Sequence, residues 1–131
     1  EYSHSRGIVL AIEAHSGSLA EKYNDALRMV ATVPHLKIAY DPSHCIMMDL
    51  DMTDSLALLE YTAHIHLRNA VSGNFQAPMS DGILDFKWIL DSIDSAVYRG
   101  AISIEYLDNR GEEILDDVDG LKRLLDSRYP V

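Results

Sequence analysis

The protein contains 131 residues, of which 47% are apolar and 24% charged, a balance that supports a folded core and excludes a disordered chain. Its single cysteine, Cys45, excludes a disulfide-rich scaffold. With 11 basic and 21 acidic residues the net charge is −10, which disfavours nucleic acid as a partner because its phosphates carry the same sign. Because apolar runs fall short of the roughly 20 residues that cross a bilayer, we expect a cytoplasmic protein with no membrane partner.

The first part of the chain predicts two strands that each end in a carboxylate. Residues 7–13 form an almost continuous apolar run ending in a glutamate, which is typical of a strand covered on both faces. Ser18 is the predicted N-cap of the helix that follows, and Pro34 ends that helix. Residues 36–41 form the second predicted strand, which ends in an aspartate, and residues 42–44 turn out of it.

The middle of the chain predicts a third strand followed by a long connection. A short helix is predicted over residues 53–60, and a strand over residues 63–67. That strand carries two histidines two positions apart, which places them on one face of the sheet. The connection over residues 68–85 is long for a compact domain, and such segments usually carry function.

The last part of the chain predicts a fourth strand between two helices. Asp85 is the predicted cap of a helix over residues 86–97, and Gly100 ends it. Residues 101–105 form a strand that again ends in a glutamate, and a helix is predicted over residues 112–128. The residues of that helix predicted to face inward are Leu115, Val118, Leu121 and Leu125, and those predicted to face solvent are Asp116, Asp117 and Asp119.

Four successive strand–helix units predict an α/β fold with a parallel sheet and right-handed crossovers. The strands lack the glycine-rich turn of dinucleotide-binding folds. A complete eight-stranded βα barrel needs about 250 residues, so residues 1–131 are predicted to form a single half-barrel domain. A half barrel exposes two sheet edges and, we expect, an apolar inner face, so it should be either a homodimer or the C-terminal part of a longer chain.

Four candidate metal ligands, Glu13, Asp41, His66 and Glu105, lie at or near the carboxyl ends of the four predicted strands. Active-site residues of βα barrels converge on that rim. Three carboxylates and one imidazole brought together predict a divalent metal site, because without an ion the like charges would destabilise the rim. The donor set suits Mn²⁺ or Mg²⁺ best, and Co²⁺ or Zn²⁺ is compatible with it.

The same residues also have purely structural interpretations. A carboxylate that follows a strand can be only a helix cap, and residues 41–44 can be only an Asx-type turn. His64 is predicted to be packed, or to support a site residue from behind.

Four segments together resemble a known family: residues 13–15 (EAH), 41–44 (DPSH), 64–69 (HIHLRN) and 100–106 (GAISIEY). They are similar to the xylose isomerase-like TIM barrels, the sugar phosphate isomerases and epimerases grouped with the second family of AP endonucleases. The resemblance covers nearly the whole chain, in order, and corresponds to the C-terminal half of the barrel, strands five to eight.

The resemblance implies a role for each matching residue. It makes Glu13, Asp41, His66 and Glu105 the metal ligands, as the strand ends alone suggested. The substrate-contacting residues that it implies are His44, Arg68, His15 and Gln76. At one point the chain departs from the pattern, because Arg68-Asn69 stands where many members have Lys-Asp.

The implied activity is a divalent-metal-dependent isomerisation or epimerisation of a sugar or sugar phosphate. The metal of such enzymes binds two adjacent oxygens of a ketose and stabilises the enediolate formed on deprotonation. Glu13 and Glu105 are the glutamates at strand ends and are therefore the expected acid–base pair.

Two further classes of function stay open at this stage. One is a metal-dependent dehydratase or lyase that uses the same ligands on the same scaffold. The other is a non-catalytic half barrel that binds metal or a partner through its open edges. A DNA-repair function of the AP endonuclease type is disfavoured by the net charge of −10 and by the small number of histidines near the rim.

Overall fold

The computed structural model describes residues 1–108, 111 and 113–130. Its main sheet contains four parallel strands, as the strand–helix alternation predicted, and a two-stranded antiparallel hairpin lies beside it. The strands are β1 (Leu10–Glu13), β2 (Leu36–Tyr40), β3 (Thr62–Leu67), β4 (Asn69–Val71), β5 (Asn74–Ala77) and β6 (Ala101–Ile104). The α-helices are α1 (Tyr2–Ser5), α2 (Tyr23–Thr32), α3 (Pro42–Met47), α4 (Met52–Ser55), α5 (Phe86–Ser95) and α6 (Glu113–Arg128), and a 3₁₀ turn spans Leu56–Tyr61.

The main sheet has the strand order β1-β2-β3-β6, so its two outer strands are the first and the last. All its pairs are parallel, which brings the carboxyl ends of the four strands to one edge. The architecture is half of a βα barrel. In the described part of the chain, no helix has the length and apolar character needed to cross a bilayer.

The core lies between one face of the sheet and the helices that cover it. Alternate strand residues point toward those helices, because successive side chains of a strand face opposite sides. Fully or almost fully buried members of this cluster are Ile38, Ile65 and Leu67 from the strands and Ala26, Ile89 and Leu121 from the helices.

The other face of the sheet, which would line the barrel interior, is not the apolar surface that was predicted. The residues in register on this face are mostly small or polar. They are the half-buried Ala11, Glu13, Lys37, Ala39, His64, His66 and Ser103 and the exposed Ala101. The prediction was wrong because an apolar run does not reveal which of its residues face which side, and here the large apolar ones face the helices.

Two element boundaries in the first part of the chain differ from the prediction. The first strand begins at Leu10, and the preceding Ile8 and Val9 are exposed. Lys22, not Ser18, is the N-cap residue of α2. The Ser18 hydroxyl instead donates to the His15 carbonyl (2.8 Å) and accepts from the Ala20 amide (3.1 Å), which closes a turn before the helix.

Two segments that were predicted as turn and connection contain regular structure. Residues 42–47 form helix α3, because Asp41 caps it and Pro42 fits its first turn. The long connection contains the hairpin β4–β5, in which Gly73 adopts the left-handed conformation at the turn. Short strands inside a polar connection carry too few apolar residues to show a period of two.

The last two helices also differ from prediction in detail. Helix α5 ends at Ser95, and Gly100 lies beyond it, where an added Cβ would come within 2.9 Å of the Ala63 carbonyl oxygen. In α6 the predicted inward residue Leu115 is exposed, whereas the predicted outward residue Asp117 is buried. Glu112, the predicted first residue of that helix, lies outside the described residues.

Candidate metal centre

The four predicted ligands come together at the carboxyl edge of the sheet. Glu13 is the last residue of β1, Asp41 follows β2, His66 lies near the end of β3 and Glu105 follows β6. One ligand-type atom from each lies within 4.8 Å of the others. The two glutamates thus come from the outer strands, whereas Asp41 and His66 come from the inner ones.

His66 lies between the two glutamates. Its Nδ1 is 3.3 Å from Glu13 Oε1 and 3.1 Å from Glu105 Oε2. Among the described residues, Glu105 Oε2 makes no hydrogen bond of good geometry although the atom is buried. A buried carboxylate oxygen that lacks a hydrogen bond, in a cluster of three carboxylates, fits a divalent cation bound among them.

Asp41 is both a helix cap and a member of the cluster. Its Oδ1 accepts a 2.8 Å hydrogen bond from the Ser43 amide at the start of α3, while the residue is 1% exposed. Its Oδ2 accepts from the Arg68 guanidinium. The structural and functional interpretations of this residue are therefore compatible, because the two oxygens point to different partners.

Arg68 places a buried positive charge beside the carboxylates. Its guanidinium donates to Asp41, to Ser43 Oγ (3.0 Å) and to the Glu105 carbonyl oxygen (3.4 Å), and its Nη2 lies 3.3 Å from Glu105 Oε2. The guanidinium carbon lies 4.6 Å from the centre of the Phe75 ring, in a cation–π contact. Arg68 is only 3% exposed, so its charge is paired rather than solvated.

His44 projects from α3 to the same cluster. Its Nε2 lies 3.8 Å from Asp41 Oδ2, 3.9 Å from Glu13 Oε1 and 3.3 Å from Arg68 Nη2. Burial lowers the pKa of His44 below its ordinary value of 6.5, Arg68 lowers it further, and Asp41 and Glu13 act in the opposite direction. The imidazole is therefore neutral at neutral pH and can both donate and accept a hydrogen bond.

An open cleft of about 360 Å³ lies at this edge of the sheet. Its lining residues are Glu13, His15, Ser16, His44, Arg68, Phe75, Glu105 and Leu107. Three predicted substrate-contacting residues, His15, His44 and Arg68, thus border the cleft. Sequence reasoning missed Phe75 as a lining residue. Its place in the long connection, a few residues after Arg68, is the signal that could have identified it.

Gln76 does not line this cleft. Its side-chain amide forms two hydrogen bonds with the backbone of Leu107 and is 3% exposed. His64 lies two residues before His66 in β3, on the same face of the sheet. Its Nε2 is 2.8 Å from Ser103 Oγ, and its ring packs edge-on against the His66 ring, with 5.0 Å between the ring centres.

The family-model comparison matches residues 1–124 to the xylose isomerase-like TIM barrel. The chain belongs to the xylose isomerase-like TIM barrel family. This assignment agrees with the resemblance carried by the motifs and with the four parallel strands. A search of curated proteins finds no match to the sequence.

Several solved structures share the fold of this family member. It is similar to a D-tagatose 3-epimerase-like protein, with a TM-score of 0.76 and 20% identity over 95% of this chain and 49% of that one. It is also similar to the probable 3-DHS dehydratase AsbF involved in petrobactin synthesis from Bacillus anthracis, with a TM-score of 0.73 and 18% identity over 93% of this chain and 50% of that one.

A third similar structure, a xylose isomerase-like TIM barrel protein from Mycobacterium smegmatis, is in complex with magnesium. Its TM-score is 0.72, at 17% identity over 96% of this chain and 46% of that one. At such identities the likeness concerns the fold. The chain spans about half the length of each of these structures.

Proposed function

We propose that this chain supplies the metal-binding half of a divalent-metal-dependent sugar isomerase or epimerase. The observation that carries the proposal is the convergence of Glu13, Asp41, His66 and Glu105, one from each strand of the sheet, within 4.8 Å. Membership of the xylose isomerase-like family supports it, since that family and its structural neighbours include epimerases.

The four ligands are rich in carboxylate oxygen, which favours Mn²⁺ or Mg²⁺ over softer ions, with Co²⁺ or Zn²⁺ as alternatives. A bound ion would polarise the carbonyl of a ketose and stabilise the enediolate produced when the neighbouring carbon loses its proton. The magnesium complex of a structural neighbour supports a hard ion in this fold.

Glu13 and Glu105 are the proposed acid–base pair. They project from the two outer strands of the sheet, so a substrate bound over His66 lies between them. One glutamate can then remove the proton next to the carbonyl while the other returns a proton to the opposite face, which inverts that carbon. Isomerisation between ketose and aldose would pass through the same enediolate, with the proton returned to the neighbouring carbon.

His44, Arg68 and His15 are proposed to bind substrate oxygens at the cleft. His44 is neutral at neutral pH and can donate to a hydroxyl group. Arg68 offers a guanidinium held in place by Ser43 and Asp41. A cytoplasmic location stays a prediction.

The remaining wall of the substrate pocket is proposed to come from the first half of such a barrel, not from a second copy of this chain. The polar inner face includes Lys37, two residues deeper on the sheet than Ala39, and a second copy would place another Lys37 in the same interior. A second copy would also add three more carboxylates to the rim. Like charges brought together inside one barrel are destabilising, so a partner of different sequence fits better.

A dehydratase is the second candidate, because one structural neighbour is a probable dehydratase. The same base would remove the proton next to the carbonyl, and the hydroxyl group on the adjacent carbon would then take a proton from the other glutamate and leave as water. Product analysis distinguishes the two: an epimerase returns a sugar of unchanged mass, whereas a dehydratase returns an unsaturated product that is one water lighter.

The metal site is tested by calorimetric titration of the protein with Mn²⁺ near neutral pH. Asp41→Ala and His66→Ala should each weaken binding strongly, whereas Asp119→Ala, a change of an exposed acid on α6, should not. Equal Mn²⁺ affinity in all four proteins would refute the site.

The chemistry is tested by solvent-deuterium exchange into ketoses in the presence of Mn²⁺, with the missing half barrel supplied where it is needed. Glu13→Gln and Glu105→Gln keep a side-chain oxygen but cannot accept the proton of the substrate, so exchange should fall by about 10²–10⁴-fold. If exchange persists in both variants from both epimers, the glutamates are not the acid–base pair. A parent protein that binds Mn²⁺ yet exchanges no ketose would favour the non-catalytic half barrel.

A further inference from the structure

Gln76 binds the backbone of the segment that carries Glu105. Its Nε2 donates to the Leu107 carbonyl oxygen at 2.9 Å, and its Oε1 accepts from the Leu107 amide. A side-chain amide that bonds both the N–H and the C=O of one residue makes the same two hydrogen bonds as a residue on a neighbouring β-strand. It therefore fixes both the position and the orientation of that residue's backbone. Leu107 is two residues beyond Glu105.

Gln76 bonds the chain just beyond the point where the hydrogen bonds of the main sheet end. The last sheet-type bond runs from the Glu105 amide to the Leu67 carbonyl oxygen at 3.1 Å. The next residues, Tyr106 and Leu107, are bonded to hairpin β4–β5 instead. The Tyr106 hydroxyl accepts from the Asn69 amide at 3.0 Å, and Gln76 holds Leu107. Glu105 thus lies between a sheet bond on one side and hairpin bonds on the other.

The hairpin is itself anchored to the opposite side of the metal centre. It packs against α3, the helix that Asp41 caps and that carries His44. The Gly73 amide at its turn donates to the Met47 carbonyl oxygen at the end of α3, at 2.9 Å. The hairpin therefore connects the elements that present Asp41 and Glu105.

We propose that Gln76 is a positioning residue for Glu105: its paired amide holds the backbone that aims the Glu105 carboxylate at the metal centre. The inference deepens the proposed function and depends on it, since it assigns Gln76 a role in metal affinity. It replaces direct contact with substrate as the role of this residue. Removing a group that hydrogen-bonds directly to a metal ligand typically weakens metal binding by about 10–100-fold. Gln76 acts on Glu105 through the backbone of Leu107, so the effect of removing it should lie at the lower end of that range.

The test uses Gln76→Met, which keeps the length of the side chain but removes the hydrogen bonds to the Leu107 backbone. Its matched control is Ser72→Ala, which removes one exposed hydrogen bond, from the Ser72 hydroxyl to Asp49, at the tip of the same hairpin. In the metal-free protein, exchange of the Leu107 amide hydrogen should accelerate in Gln76→Met and stay unchanged in Ser72→Ala. Unchanged Leu107 exchange in Gln76→Met would overturn the proposal.

Metal affinity then separates positioning from general packing. Gln76→Met should weaken Mn²⁺ binding by about 10-fold when Glu105 is present. It should weaken binding little further in a Glu105→Ala background, where the positioned ligand is gone. The visible spectrum of the Co²⁺-loaded protein should shift in Gln76→Met toward that of Glu105→Ala. An equal loss of affinity in both backgrounds, or a Co²⁺ spectrum identical to that of the parent, would overturn the proposal while leaving the metal site intact. A parent that binds no ion would refute the proposed function itself, and this inference with it.

Discussion

Replacement of Arg68 by methionine should destabilise the metal-free protein strongly. The guanidinium is 3% exposed and is bonded to Asp41, Ser43 and the Glu105 carbonyl oxygen. Methionine fills part of the space but leaves the Asp41 carboxylate, 1% exposed, without its counter-charge. Breaking a buried ion pair by removing one partner costs about 3–5 kcal/mol, which for a domain of this size lowers Tm by roughly 10–20 °C.

The assay is urea unfolding at neutral pH with a chelator present, because an ion at 100 times its Kd would add about 2.7 kcal/mol and mask the effect. The control is Arg28→Met, since the Arg28 side chain is 81% exposed and pairs with Asp25 at the surface. That pair should contribute about 0–1 kcal/mol. Both substitutions replace arginine by methionine. The difference between their losses in free energy of unfolding therefore measures the effect of burying the arginine and its ion pair.

A double variant tests the reason for the loss. Adding Asp41→Asn to Arg68→Met removes the uncompensated charge while keeping an oxygen to accept from the Ser43 amide. The double variant should therefore be more stable than Arg68→Met alone. If Arg68→Met costs no more than Arg28→Met, or if Asp41→Asn makes the double variant still less stable, the charge-balance argument is refuted.

Three further predictions concern residues around the site. Burial holds the pKa of His44 below 6.5, so the unfolded chain binds more protons just below that value, and the metal-free protein should lose stability as pH falls from 6.5. Urea midpoints at pH 7.5 and 5.5 should therefore fall more in the parent than in His44→Gln, and an equal fall in both proteins would contradict this. Burial raises the pKa of the Cys45 thiol to about 11, so alkylation of this thiol at pH 8 should be slow in the native protein and fast in urea. Mass spectrometry follows the labelling, and rapid labelling of the native protein would contradict the prediction. Gly82→Ala should destabilise by about 1–3 kcal/mol in thermal unfolding, because the new Cβ would lie 2.0–2.4 Å from the Asn69 side chain; a neutral effect would show that this side chain moves freely.

Asn69 and Gly82 illustrate how the connection after β3 is built. The Asn69 Oδ1 accepts from the Ala70 and Leu84 amides at 3.0 Å each, and its Nδ2 donates to the Met79 carbonyl oxygen at 3.3 Å. The close approach of Gly82 leaves no room for a side chain there. The length of this connection predicted a functional role, and in the structure its Phe75 lines the cleft beside the candidate metal ligands.

The amino-acid sequence alone determined the strand–helix alternation and the positions of the four metal-ligand candidates. An apolar run followed by a carboxylate or an imidazole is a local pattern, and parallel strands necessarily bring their carboxyl ends to one edge. Glu13, Asp41, His66 and Glu105 could therefore be grouped without knowledge of any contact.

Only the tertiary structure decided which partners the remaining polar residues have. The buried Asp117 accepts from the Met79 amide at 2.7 Å, a bond across 38 residues that a helical pattern cannot reveal. Likewise Arg68 binds Asp41 and Gln76 binds Leu107 through pairs that are 27 and 31 residues apart. A local pattern reports which face of an element is apolar, whereas burial of a polar side chain depends on a distant group that satisfies it, and only the folded chain brings that group within hydrogen-bonding distance.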